Sequence, residues 1–163
     1  MSGLFASKDI DIDKLIFDII ESSPTTAIYV GADSKQFSKN RVKWIAYVTV
    51  VVIHFDGNRG AKLYKQYSFE KDYGSLRKRL MKEVELAIDL SYKITEFIED
   101  RPFQIHLDIN PDPKHKSSVC VKEATGYVMG MLGIMPTLKP EAFAASTVSD
   151  RWAVKQADRN KRR

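Results

Sequence analysis

Ten consecutive residues, Trp44 to Ile53, apolar but for Thr49, form the longest such run in the chain, and Val48–Ile53 within it is dominated by β-branched side chains. A membrane-spanning helix needs about 20 apolar residues. A run of half that length, closed by Asp56-Gly57-Asn58 as a turn, reads as one long strand over Val42–Phe55. The next segment, Ala61–Phe69, alternates Leu63, Lys65 and Tyr67 against Tyr64, Gln66 and Ser68. The short turn between the two predicts an antiparallel hairpin. Ahead of them, Ala27–Ala32 alternates and is rich in β-formers, so three strands follow in close order.

Helical signals flank this block. Ile12, Leu15, Ile16, Ile19 and Ile20 recur at helical spacing over residues 9–23, ended by Ser22, Ser23 and Pro24. A long helix is expected over Gly74–Glu99, with Leu76, Leu80, Val84, Ala87, Ser91 and Ile94 as its inner stripe. A fourth strand over Phe103–Ile109 follows, then a helix over Ser117–Leu132 finished by Gly133. A short fifth strand over Met135–Leu138 and a closing helix over Phe143–Ala157 complete the order. Three consecutive strands and then alternating units predict an α/β fold. Its five-stranded mixed sheet would carry helices on both faces, with strands one, four and five parallel through their helical crossovers.

The chain of 163 residues has the size of one domain, 1–163, with an N-terminal helical extension over 1–24. Its single cysteine, Cys120, excludes an internal disulfide framework and a Cys-based zinc site, and reads as a buried apolar residue. Met1–Lys8 lacks the basic region and apolar stretch of an export signal, so a cytoplasmic protein without a membrane partner is expected. The net charge of +5 is unevenly placed: residues 1–150 carry 20 cationic and 20 acidic side chains, and the whole excess lies in 151–163. A basic arm of this kind can grip phosphates; the bland alternative is a solvated helix end.

Four acids fall where the expected architecture would gather them. Asp33 ends the first strand and Asp108 the fourth. Ligands of parallel sheets bind outside the carboxyl ends of strands, and two carboxylates there repel each other unless a cation lies between them. A hard ion, Mg²⁺ or Mn²⁺, suits that oxygen set. With Leu76 at zero and about 100° per residue, Glu83 falls at about 340°, inside the apolar stripe, whereas Glu85 falls at about 180° and faces solvent. A carboxylate on the sheet side needs a partner, and a neighbouring basic residue would be the ordinary one. Asp150, in the closing helix, could equally be a surface acid paired with Arg151 or Lys155.

Strand order and acid positions together resemble the ribonuclease H-like superfamily. Its pattern is an Asp on the first strand, a Glu on the first crossover helix, an Asp ending the fourth strand and an acid on the last helix. Asp33, Glu83, Asp108 and Asp150 stand at those places. The phrases Gly31-Ala32-Asp33-Ser34-Lys35-Gln36, His106-Leu107-Asp108-Ile109-Asn110-Pro111 and Lys139-Pro140-Glu141-Ala142-Phe143-Ala144-Ala145-Ser146 resemble the YkuK-like branch, a group of predicted nucleases. The resemblance covers residues 29–152 as a core and leaves 153–163 as a basic tail. It implies phosphodiester hydrolysis of DNA or RNA with two divalent ions, Mg²⁺ or Mn²⁺, about 4 Å apart. Asp33 would bridge them, Glu83 and Asp108 would flank it, and Asp150 would complete the second ion's shell.

Polar residues near these acids are candidate substrate contacts: Lys35 and Gln36 after Asp33, Asn110, His115, Lys116 and Ser117 after Asp108, and Lys139 and Arg151 further on. Lys116 and Ser117 could hold a phosphate at a helix start, and His115 could shuttle a proton. As a plain loop, the same segment needs only Pro111 and Pro113 to shape it and Ser117 to cap the helix. His106 reads as a satisfied strand histidine. Two functions compete: the nuclease, and a catalytically silent module of the same fold that binds nucleic acid or a protein. Long strand edges would support a homodimer.

Overall fold

The computed structural model of the chain describes residue 5 and residues 7–144. Helix α1 spans Ile12–Glu21. Asp11 caps it, its carboxylate accepting from the Lys14 backbone N–H at 3.1 Å, and Leu15 and Ile19 are fully buried. Strand β1 spans Ala27–Lys39, β2 Val42–His54 and β3 Ala61–Lys71; helix α2 spans Leu76–Ile98, β4 Phe103–Leu107 and helix α3 Val121–Leu132.

The sheet order is β3-β2-β1-β4, with β2 antiparallel to both its neighbours and β4 parallel to β1. The expected β2–β3 hairpin is present, turning through a short 3₁₀ segment at Phe55–Gly57. Strand β1 runs seven residues beyond the expected Ala32. A two-residue turn at Asn40 and Arg41, both at positive φ (52° and 63°), folds it directly onto β2 and pairs every residue to Lys39. Ser34, Lys35, Gln36 and Ser38 are strand residues through that pairing, which local composition does not report.

The described residues form four strands, not five. Met135–Leu138 contributes one parallel bridge, His106 to Thr137. The Leu107 N–H donates to the Thr137 carbonyl at 2.9 Å, and the Thr137 N–H to the Ile105 carbonyl at 2.8 Å. The Lys139 N–H donates to the Ile109 carbonyl at 3.1 Å, so the segment follows the β4 path in parallel, with Thr137 the residue bonded through both its N–H and its carbonyl.

Helices α1, α2 and α3 pack into one core with Ile28, Val30, Val51, Ile53 and Ile105. On the other face Val48, Val50 and Val52 are buried with Ala144. The closing helix expected over Phe143–Ala157 lies outside the described residues from 145 onward, and the described helices all join the first core. The second predicted helix begins as a 3₁₀ turn, Lys116–Cys120, before α3, and Gly133 ends it at φ 69°, as expected of a left-handed cap. Cys120 is buried.

Arg101 ties the helix ends together. Its guanidinium, buried beneath the chain, donates to the carbonyls of Ile20 (3.2 Å), Ser22 (2.6 Å) and Ile98 (3.3 Å). It thus gathers carbonyls from the C-terminal ends of both α1 and α2, the Ile98 carbonyl also accepting from the Arg101 backbone N–H at 3.1 Å. No described helix is long and apolar enough to cross a membrane.

Candidate active site

The last parallel pair between β1 and β4 is Ala32 with Leu107. The next residue on each strand path is an acid, Asp33 and Asp108, so the register sets the two side by side where the parallel ladder stops. Asp33 does not end its strand, as its composition suggested; it ends the parallel ladder, while β1 continues against β2. It is buried, and its Oδ1 accepts from the Ser34 backbone N–H at 2.7 Å.

Glu83 comes to the same place from α2. It is 5% exposed, as its position in the apolar stripe predicted, and Ser34 Oγ donates to its Oε1. Burial pushes its carboxyl well above the usual range, and the negative charges of Asp33 and Asp108 push the same way. The Ser34 hydrogen bond and the Arg79 charge oppose this. Glu85 lies outside this cluster and pairs with Lys82 at 3.3 Å.

Asp108 keeps its Oδ1 buried, and the Lys139 ammonium stands against that atom as an ion pair, outside hydrogen-bond geometry. The Lys139 backbone is fixed there by its N–H, which donates to the Ile109 carbonyl at 3.1 Å.

These groups open onto a cleft of about 450 Å³, lined by Asp33, Ser34, Asp108 and four further side chains, Lys35, Gln36, Arg79 and Lys139. Gln36 is held by its amide, which donates to Asp72 Oδ2 at 2.6 Å. The Gly74 N–H and Gln36 hold the Asp72 carboxyl below the usual carboxylate range. Tyr47 pairs with Ser34 across the hairpin and is buried. Its hydroxyl donates to Glu70 Oε1 at 2.7 Å, and burial together with that acceptor keeps the phenol protonated.

Of the expected substrate contacts, Lys35, Gln36 and Lys139 line the cleft. Asn110, His115, Lys116 and Ser117 are not among its lining residues. Their loop satisfies itself: Asn110 Oδ1 accepts from the Asp112 N–H, and Ser117 Oγ from the Asn110 N–H, both at 3.0 Å. Ser117 therefore closes the loop rather than capping a helix. Asp150 and Arg151 lie outside the described residues. Arg79 and Ser34 were missed. Arg79 precedes Glu83 by four residues, so the same helical wheel that turned Glu83 inward sets Arg79 only about 40° away. Ser34 follows from Asp33 only once β1 is known to continue.

His106 is a structural histidine, as its alternation suggested. Its Nδ1 accepts from the backbone N–H groups of Phe143 (3.2 Å) and Ala144 (3.1 Å), so the proton sits on Nε2, 2.9 Å from Gln104 Oε1. Burial lowers its pKa to about 4.

The donor chemistry fits a hard divalent cation. Two carboxylates, Asp33 and Asp108, line the cleft, and the buried Glu83 lies close enough to feel both charges, an all-oxygen set of the kind such an ion takes. As placed, no three acid, histidine or cysteine side chains among the described residues converge as a metal-binding group. Lys139 occupies Asp108, and Ser34 holds Glu83.

A four-stranded 3-2-1-4 sheet with carboxylates at the end of its parallel ladder defines an α/β protein built around an acidic cleft. Comparison with known families makes the class specific. The sequence model of the family described as Ribonuclease H-like matches residues 11–154, most of the chain, and the chain belongs to that family. Searches of curated proteins and of solved structures return no match.

Proposed function

We propose that the protein is a divalent-metal-dependent nuclease that hydrolyses phosphodiester bonds of DNA or RNA, and that it falls in the YkuK-like branch of its family. The observation that carries this reading is the meeting of Asp33 and Asp108 at one cleft, with the buried Glu83 of α2 close enough to feel both charges. Asp33, Glu83 and Asp108 would hold Mg²⁺ or Mn²⁺, with Asp150 as a fourth ligand from the sequence pattern. The chemistry such ions supply when bound is a lowered pKa for water and compensation of charge at the leaving oxygen. Ser34 fixes the Glu83 carboxyl for that role, and Asp33 is held by the backbone behind it. Lys35 and Arg79 bring positive charge to the same cleft, where the backbone of a nucleic acid would lie.

Cleavage of single-stranded DNA, RNA and RNA–DNA hybrid in Mn²⁺ or Mg²⁺ tests the reading. The wild type should cut at least one of them, and Asp33→Asn should lose about a hundredfold or more of that activity while its circular dichroism stays native. Equal cutting by Asp33→Asn would refute the site. Salt-dependent binding without any cutting would favour the silent binding module instead.

A further inference from the structure

We infer that Lys139 is the resident counter-cation of this cleft: it neutralises Asp108 until a divalent ion takes that carboxylate, and its freed ammonium then binds the phosphodiester. The inference rests on the nuclease reading for the identity of the two ligands.

Its first support is the ion pair itself. The Lys139 ammonium stands on the Asp108 oxygen that the family pattern would give to a metal. Asp108 Oδ1 is buried, and the Lys139 ammonium is the cation that stands beside it. The second support is accessibility. The Lys139 side chain is 37% exposed and lines the cleft, so this pair is open to exchange. Pairs of that kind are weak in water, and an ion of twice the charge competes well against one ammonium. The third support is mechanical. The Lys139 N–H is bonded to the Ile109 carbonyl, and the Ala142 N–H to the Leu138 carbonyl at 3.0 Å. The backbone therefore stays in place while a four-carbon stem swings.

Charge counting sets the destination of the ammonium. Among the described residues the cleft is lined by Asp33 and Asp108 against Lys35, Arg79 and Lys139, two acids against three bases. Each divalent ion that enters adds two positive charges, and an anionic ligand is what balances them. A phosphodiester in the cleft offers two unesterified oxygens to the three N–H donors that Asp108 releases. Metal and phosphodiester binding are thereby coupled, with Lys139 carrying the charge between them.

Calorimetry with Mn²⁺ and with a dinucleoside monophosphate tests this on the full chain. Lys139→Met should bind Mn²⁺ alone about tenfold more tightly than the wild type, because the competing cation is gone. In the presence of Mn²⁺ it should bind the dinucleoside monophosphate about tenfold more weakly. Lys139→Arg should keep the competition. Unchanged or weaker Mn²⁺ binding by Lys139→Met would overturn the inference while leaving the nuclease reading intact. Absence of Mn²⁺ binding by both proteins would overturn the nuclease reading and the inference with it. A second measurement stands independent of any variant: the Lys139 ammonium resonance of the wild type should shift on Mg²⁺ titration, and a resonance that stays in place refutes the exchange.

Discussion

Glu83 concentrates the physical conflict of the site in one residue. A helix stripe that buries Leu80, Val84 and Ala87 also buries a carboxyl, next to two more acids. The folded protein therefore holds the Glu83 proton more tightly than the unfolded chain does. For an acid whose pKa is raised on folding, stability is full below the unfolded value of 4.5 and declines as pH rises through the folded value. Glu83→Gln keeps the shape and the Ser34 contact but removes the charge. Melting temperature against pH should fall from pH 4.5 towards neutrality in the wild type, and this decline should be absent in Glu83→Gln, leaving the variant the more stable near neutrality. Saturating Mg²⁺ should raise the wild-type melting temperature and leave the variant unmoved. A variant less stable than the wild type at neutral pH would show that the carboxylate is already compensated by other means. Glu83 was legible in the sequence because a charged residue in an apolar stripe breaks a strong period. Arg79 was not, because an arginine at the stripe's edge is ordinary until Glu83 makes its neighbourhood special.

At the scale of elements, β4 and the segment after α3 show how a local lock replaces a ladder. Among the described residues Thr137 makes the one bridge to β4, yet the chain is pinned again where His106 accepts the Phe143 and Ala144 N–H groups. The lock needs neutral imidazole, because a protonated Nδ1 could accept nothing. His106 has its pKa lowered from 6.5 to about 4 on folding. A histidine so shifted contributes stability that is fully present above the unfolded value of 6.5 and is lost as pH falls towards 4, up to about 3 kcal/mol. Denaturant titrations should show the wild type losing stability across that window. His106→Phe should lose about 1–3 kcal/mol at pH 7, from two unpaired N–H groups, and should lack that component of the pH slope. An identical slope in both proteins would place the titration elsewhere. Strand existence was readable here from β-branched runs; strand length was not. β1 reaches Lys39 because the Asn40–Arg41 turn lays polar residues against β2, and the expected fifth strand comes down to a single bridge at Thr137. Both outcomes depend on the partner strand, which periodicity within one segment does not contain.

For the whole molecule, charge is divided by place. Residues 1–150 are neutral in sum, the described cleft sets Asp33 and Asp108 among Lys35, Arg79 and Lys139, and the surplus of +5 belongs to 151–163. On the nuclease reading, chemistry would belong to the cleft and long-range attraction to the tail. Asp33 and Asp108 were legible in the sequence as acids on parallel strands; that they lie side by side depends on β4 pairing with β1. The ion pair that covers one of them was not legible, since Lys139 reaches Asp108 through a bridge segment with no periodic signal. The division of charge makes a separable expectation. Residues 158–163 hold Arg159, Lys161, Arg162 and Arg163. If these grip nucleic acid, each contact releases counterions, and removal of 158–163 should flatten the slope of log affinity against log salt by up to about 4. Asp33→Asn should leave that slope as it is, because its site acts at short range. Fluorescence anisotropy of a labelled oligonucleotide over a salt series reads both proteins directly. A slope that survives the deletion would assign the electrostatic contacts to Lys35, Arg79 and their neighbours in the cleft, and the tail would then be a solvated end.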